Sequence, residues 1–154
     1  MGKRILLFGA ALIILGGCAT GKYIAKPNEE LYGTWTNDQM TTYREVVCRP
    51  DGWNFFYHVG DAAAAVECKW ELTGKWKDSD GNIWYKSVST ITGGLEGDTG
   101  TVLTTLYRLS KSATVLEFVW SYPTNEEELK NPVYPTVIDP KRYAGSGMYN
   151  RAAE

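Results

Sequence analysis

Apolar and polar side chains alternate without a break along Val66–Lys77. Val66, Cys68, Trp70, Leu72, Gly74 and Trp76 share one parity, and Glu67, Lys69, Glu71, Thr73, Lys75 and Lys77 share the other. Period two with one greasy and one charged face predicts an antiparallel strand half buried in a core. Asp78-Ser79-Asp80-Gly81-Asn82 then turns the chain, and Asn82–Ile91 returns rich in aromatic and β-branched residues (Ile83, Trp84, Tyr85, Val88, Thr90, Ile91). Those types favour strands, so Val66–Ile91 reads as one long hairpin.

The same pattern predicts strands on either side. Leu31–Asn37 places Leu31, Gly33 and Trp35 on one face, and Thr42–Arg49 follows, ended by the turn signal Pro50-Asp51-Gly52. Trp53–Val59 puts Trp53, Phe55, Tyr57 and Val59 together, and the small-residue run Gly60–Ala65 reads as a loop. Gly93–Gly100 is a glycine-rich loop, Thr101–Leu109 the sixth strand and Thr114–Tyr122 the seventh. Seven strands at short, regular spacing with no helix between them predict an all-β, antiparallel up-and-down meander closing into a barrel of seven to eight strands. After Pro123 the pattern breaks. Thr124 and Glu127 have capping-box spacing for a short helix that Pro132 stops. Val133–Ile138 is an eighth strand at an edge at best, because of Pro135, and Asp139–Glu154 reads as a loose tail.

The first 30 residues read as an address. Lys3 and Arg4 precede the apolar stretch Ile5–Leu15, and Leu15-Gly16-Gly17-Cys18 follows. This is the layout of a secretory signal, and about 20 apolar residues are needed to span a bilayer. Thr20–Glu30 is polar, contains Pro27 and reads as a tether. At about 3.3–3.6 Å per residue it would hold the domain a few tens of Å from its anchor.

Without Lys3 and Arg4 the chain carries 14 basic and 18 acidic side chains, a net of −4, with no basic cluster to recruit nucleic acid. About 125 residues beyond the tether suit one domain. Cys48 and Cys68 remain once Cys18 is set aside. They are either a disulfide or two small buried hydrophobes. If their strands flank the Trp53–Val59 strand, two strand spacings put them beyond bonding reach.

Two resemblances sharpen this reading. Leu15-Gly16-Gly17-Cys18 resembles the lipobox of bacterial lipoproteins. That implies cleavage before Cys18, lipidation and palmitate-type acylation at Cys18, and, with Ala19 next, sorting to the outer membrane. Gly33-Thr34-Trp35 resembles the Gly-x-Trp signature of lipocalins. The order Gly33–Trp35, Asp80–Tyr85, Tyr107–Leu109 and Leu116–Phe118 is similar to bacterial lipocalin-like domains. The resemblance spans Leu31–Tyr122 and implies a barrel holding a small apolar ligand, with Arg108 packed on Trp35 in a cation–π contact.

Catalytic chemistry finds no constellation. His58 is the lone histidine, on the parity opposite Phe55 and Tyr57, and faces solvent. Asp78–Asn82 lacks the ligand order of a calcium loop, Gly93–Gly100 lacks the Lys-Ser/Thr of a phosphate loop, and Cys48 and Cys68 lack zinc-ligand neighbours. The expectation is a non-enzyme with no cofactor and no metal. Six Trp, ten Tyr and four Phe are the unusual feature. Trp35, Phe55, Tyr57, Trp70, Trp76, Leu106, Phe118 and Trp120, if inward, form a pocket wall or a filled plug. Two functions follow: an envelope lipoprotein binding a small apolar or lipid-like ligand, which calls for a cavity of about 300 Å³ or more; or a tethered module with a filled core that binds another envelope protein.

Overall fold

A computed structural model describes residues 29–94 and 99–153. The predicted signal, Cys18 and nearly all of the tether lie outside the described residues, as does the 95–98 part of the glycine loop. Eight strands run in chain order: β1 (Gly33–Thr36), β2 (Glu45–Arg49), β3 (Gly52–Phe56), β4 (Val66–Lys77), β5 (Ile83–Gly93), β6 (Val102–Leu109), β7 (Val115–Ser121) and β8 (Gly145–Arg151). Each pairs antiparallel with the next, and β8 returns to β1, so the meander is a closed barrel. One short helix, α1 (Glu126–Lys130), interrupts the β7–β8 connection.

The closing strand is not Val133–Ile138. Gly145–Arg151, in the stretch read as a loose tail, pairs with β7 from Gly145 to Asn150 and with β1 at Trp35 and Thr36. Its glycines hid it, yet they are what lets it fit. A Cβ on Gly145 would meet the Trp120 ring at 1.9 Å, and one on Gly147 would meet Tyr149 and Phe118 rings at 2.4 and 2.7 Å. Rings from β7 occupy the space that β8 leaves empty. Residues 131–138 instead lie across the outside of the barrel. Val133 O accepts from Thr104 Oγ1 (2.8 Å), and Tyr134 OH accepts from Thr73 Oγ1 (2.8 Å). The helix starts one residue later than its Thr124 signal: Asn125 is the N-cap, accepting from Glu128 N (2.9 Å), and Glu128 Oε2 reaches back to Thr124 N.

The unbroken alternation of β4 is broken in space. The register against β5 slips between Leu72 and Gly74, a bulge that reverses which face the following residues take. Lys75 therefore turns inward opposite Tyr85, only 5 % exposed, and Trp76 turns outward to stack on Trp84 at 5.9 Å.

In a meander all odd-to-even connections lie at one end. The loops 37–44 and 57–65, the C-terminal end of β5, the start of β6 and the long 122–144 connection share an end, the mouth. The tight turns 50–51, 78–82 and 110–114 share the other with the 3-10 turn Glu29–Leu31. That other end is sealed. Leu31 and Trp35 are wholly buried, and Trp35 Nε1 donates to Leu31 O (3.1 Å). The Arg151 guanidinium lies 4.3 Å over the Trp35 ring and donates to Ala113 O (2.8 Å), Tyr32 O (2.9 Å) and Glu30 O. Gly33, at φ 127, passes under it; a Cβ there would stand 3.0 Å from Arg151 Nη1.

Candidate functional site

The interior between the two ends is filled largely by rings. Trp53 on β3 stacks on Tyr107 of β6 (5.0 Å, 11°), takes the Trp70 edge (4.8 Å, 82°) and leans on Phe118 of β7 (5.9 Å). Phe118 in turn stacks on Tyr149 of β8 (5.6 Å, 7°). Such pairs add to the burial of large apolar area, so the lower barrel is a packed core.

Above this layer, towards the mouth, a half-open cavity of about 80 Å³ remains. Tyr43, Phe55, Trp120 and Tyr122 stand around it, with Trp53, Tyr107 and Phe118 below. Val66, Cys68, Ile91 and Leu103 complete the apolar wall, and Ser89 and Thr105 add aliphatic hydroxyls to it. The volume is well under the roughly 300 Å³ of pockets that enclose a small molecule, and about half of the ~150 Å³ void known to hold benzene. The cavity of about 300 Å³ or more that the ligand-binding expectation called for is therefore not found among the described residues, and the gap has room only for the end of one slim group.

Of the eight residues expected to line a pocket, the barrel brings three together there: Phe55, Phe118 and Trp120. Trp70 sits lower, its Nε1 donating to Pro50 O (3.0 Å). Trp35 belongs to the sealed end. Tyr57 lies past the end of β3, its ring 5.6 Å from Tyr43. Trp76 is on the outer face because of the β4 bulge. Leu106 also points outward: its β6 neighbours Leu103, Thr105 and Tyr107 take the inner face. The other lining residues, Ser89, Leu103, Thr105 and Tyr107 among them, were missed as site residues. Tyr107 and Leu103 were recoverable, since they share the parity of Leu109 on the sixth strand.

The expected Arg108–Trp35 contact is corrected too. Arg108 is on the outer face, 5.5 Å over Trp84 and paired with Glu117 (2.6 Å). Its neighbour Tyr107 took the inward position, so the arginine over Trp35 is Arg151, beyond the stretch that carried the resemblance.

Electrostatics leave the site neutral. Cys48 and Cys68 are free and buried, each paired across the sheet with Trp53, which lies between them. Burial pushes the Cys68 thiol up to about 11 and the Cys48 thiol further still. Neither is a thiolate nucleophile at neutral pH. Burial also raises Tyr107, against hydrogen bonds with Ser87 and Thr105 that lower it. His58 is exposed. Among the described residues no group of three or more His, Cys, Asp or Glu is placed to hold a metal ion. The cavity's chemistry is apolar contact plus hydroxyl hydrogen bonding. Comparison of the chain with protein-family models, with curated proteins and with solved structures finds no match.

Proposed function

We propose that this protein is a lipid-anchored lipoprotein of the bacterial envelope, hung from Cys18, whose lipocalin-like barrel receives one slim apolar group of a small or lipid-like molecule at its mouth. The cavity between Phe55, Leu103 and Trp120 carries this reading: it is apolar, open on one side and too small to swallow a whole ligand. The closed eight-strand meander and the arginine over Trp35 support the lipocalin-like description. The lipobox at Leu15–Cys18 supports the anchor, and Ala19 after it supports an outer-membrane address.

The protein extracted natively from envelopes should release a co-purifying small molecule in mass spectrometry, and apolar probes should shift amide signals of Leu103 and Ile91. No co-purifying molecule together with no probe shift at the mouth sinks the proposal.

One observation favours a second reading, an interaction module for another envelope protein. Val59 and Tyr122 are 52 % and 48 % exposed, and both belong to mouth-side connections. A photo-crosslinker replacing Val59 should then capture one defined partner in intact envelopes, while one replacing Met148 on the outer wall of β8 should not. Equal capture from both positions counts against a mouth-directed partner.

A further inference from the structure

The wall of the cavity is not uniformly apolar, and its polar part is concentrated on two neighbouring strands. Ser87 and Ser89 on β5 and Thr105 and Tyr107 on β6 all face the barrel interior, with Ser87 directly opposite Thr105. They are 0 %, 3 %, 5 % and 3 % exposed. Four hydroxyls inside a ring-filled barrel are costly unless each finds partners. Tyr107 OH and Ser87 Oγ satisfy one another at 2.7 Å. Ser89 Oγ reaches Ser87 Oγ at 3.3 Å, long for a hydroxyl pair, whose distances run to about 3.0 Å, and both Ser89 and Thr105 also interact with Tyr107 OH. A hydroxyl offers one donor and two acceptor positions, so Ser89 keeps capacity, and it lines the cavity together with Thr105.

We infer that the group entering the mouth carries an oxygen at its leading end, a hydroxyl or carbonyl, which Ser89 and Thr105 receive by hydrogen bonding. This rests on the mouth-cavity reading and names the ligand class for it: a slim apolar body with its oxygen inserted first. The rings of Trp53, Phe55 and Phe118 grip the body. The β5–β6 hydroxyls select the tip, because a site built to hydrogen-bond an oxygen discriminates against an analogue without one.

Phenol and toluene test this, since they share a shape and differ by a hydroxyl for a methyl. Each is titrated into the full chain in detergent, following the amide signals of Ser89 and Thr105 and the indole signal of Trp120. A purely apolar cavity prefers toluene, because the phenol hydroxyl is desolvated without a partner. Here phenol binds at least as tightly as toluene. The double variant Ser89→Ala, Thr105→Val moves the phenol-to-toluene ratio roughly tenfold towards toluene, and its retained toluene binding shows that it keeps the fold. Toluene outbinding phenol on the unaltered protein, or a ratio that the double variant leaves unmoved, overturns the inference and leaves the mouth cavity standing. If neither probe shifts any mouth signal, the cavity reading falls as well.

Discussion

At the sealed end of the barrel Trp35 is enclosed on every side. Trp35 is buried under Arg151, its indole N–H is bonded to Leu31 O, and the guanidinium holds three backbone carbonyls from two separate segments. At the mouth, Phe55, Trp120 and Tyr122 are just as large, yet they stand around a gap instead of closing it. What separates the ends is connection length. Tight turns at one end bring strands and plug together, whereas the loops at the other hold the wall open. Stability concentrated in one end leaves the other free to carry a binding site at low cost.

The largest expected contrast is between the two tryptophans. Trp35→Ala should cost about 3–5 kcal/mol in urea unfolding, because a fully enclosed ring leaves a cavity that cannot collapse. Trp120→Ala should cost only about 1–2 kcal/mol, since its site already opens to solvent, and should widen the mouth for apolar probes. Equal losses at both positions break the contrast between a closed and an open end.

Next come the two arginines. Arg151→Met should cost about 2–3 kcal/mol by stranding the carbonyls of Ala113, Tyr32 and Glu30. Arg108→Met should stay within about 1 kcal/mol, since its pair with Glu117 is partly exposed. The reverse order would restore Arg108 as the residue that matters to Trp35.

Those two arginines also show how far the sequence could be read. Alternation over the seventh strand was plain, and so was the meander read from the spacing of the strands. Parity on the sixth was not, because Leu106 and Tyr107 are both hydrophobic and both buried, one on the outer face and one in the lumen. The β4 bulge was equally hidden: Thr73 looks like any polar position, and only the slip against β5 shows that Lys75 goes in and Trp76 out. β8 was lost for a third reason. Its inward positions include Gly145 and Gly147, whose contribution is the space they leave to Trp120 and Phe118, and a pattern of side chains cannot display that. The candidate site suffered most, since a pocket is where rings fail to meet. That is a property of the closed barrel, not of any one strand.

A smaller effect sharpens the mouth itself. Leu103→Phe should fill the cavity from β6 with a stability change under about 1 kcal/mol, because the added atoms enter space already empty. Phenol and toluene should both lose binding, read from the same amide signals. Binding that survives the filled cavity would place the probes elsewhere.

The smallest expected effect lies in the β4–β5 turn, at the sealed end. Asp78 accepts from Trp84 Nε1 (2.8 Å), Asn82 Nδ2 (3.0 Å), Asn82 N (2.9 Å) and Asp80 N (3.0 Å). The indole bond first, then those to Asn82, hold its carboxyl down at about 2, against an ordinary value near ~3.9. A carboxylate lowered in the folded state adds stability that is fully present above its unfolded value and is lost as pH falls through the folded one. The melting temperature of the unaltered protein should therefore exceed that of Asp78→Asn at pH 6. The gap should narrow below about pH 4 and close towards pH 2. A gap that does not change with pH would assign the turn's strength to shape and not to charge. Toluene binding at the mouth should be the same in both proteins, because the turn lies at the opposite end of the barrel from the cavity.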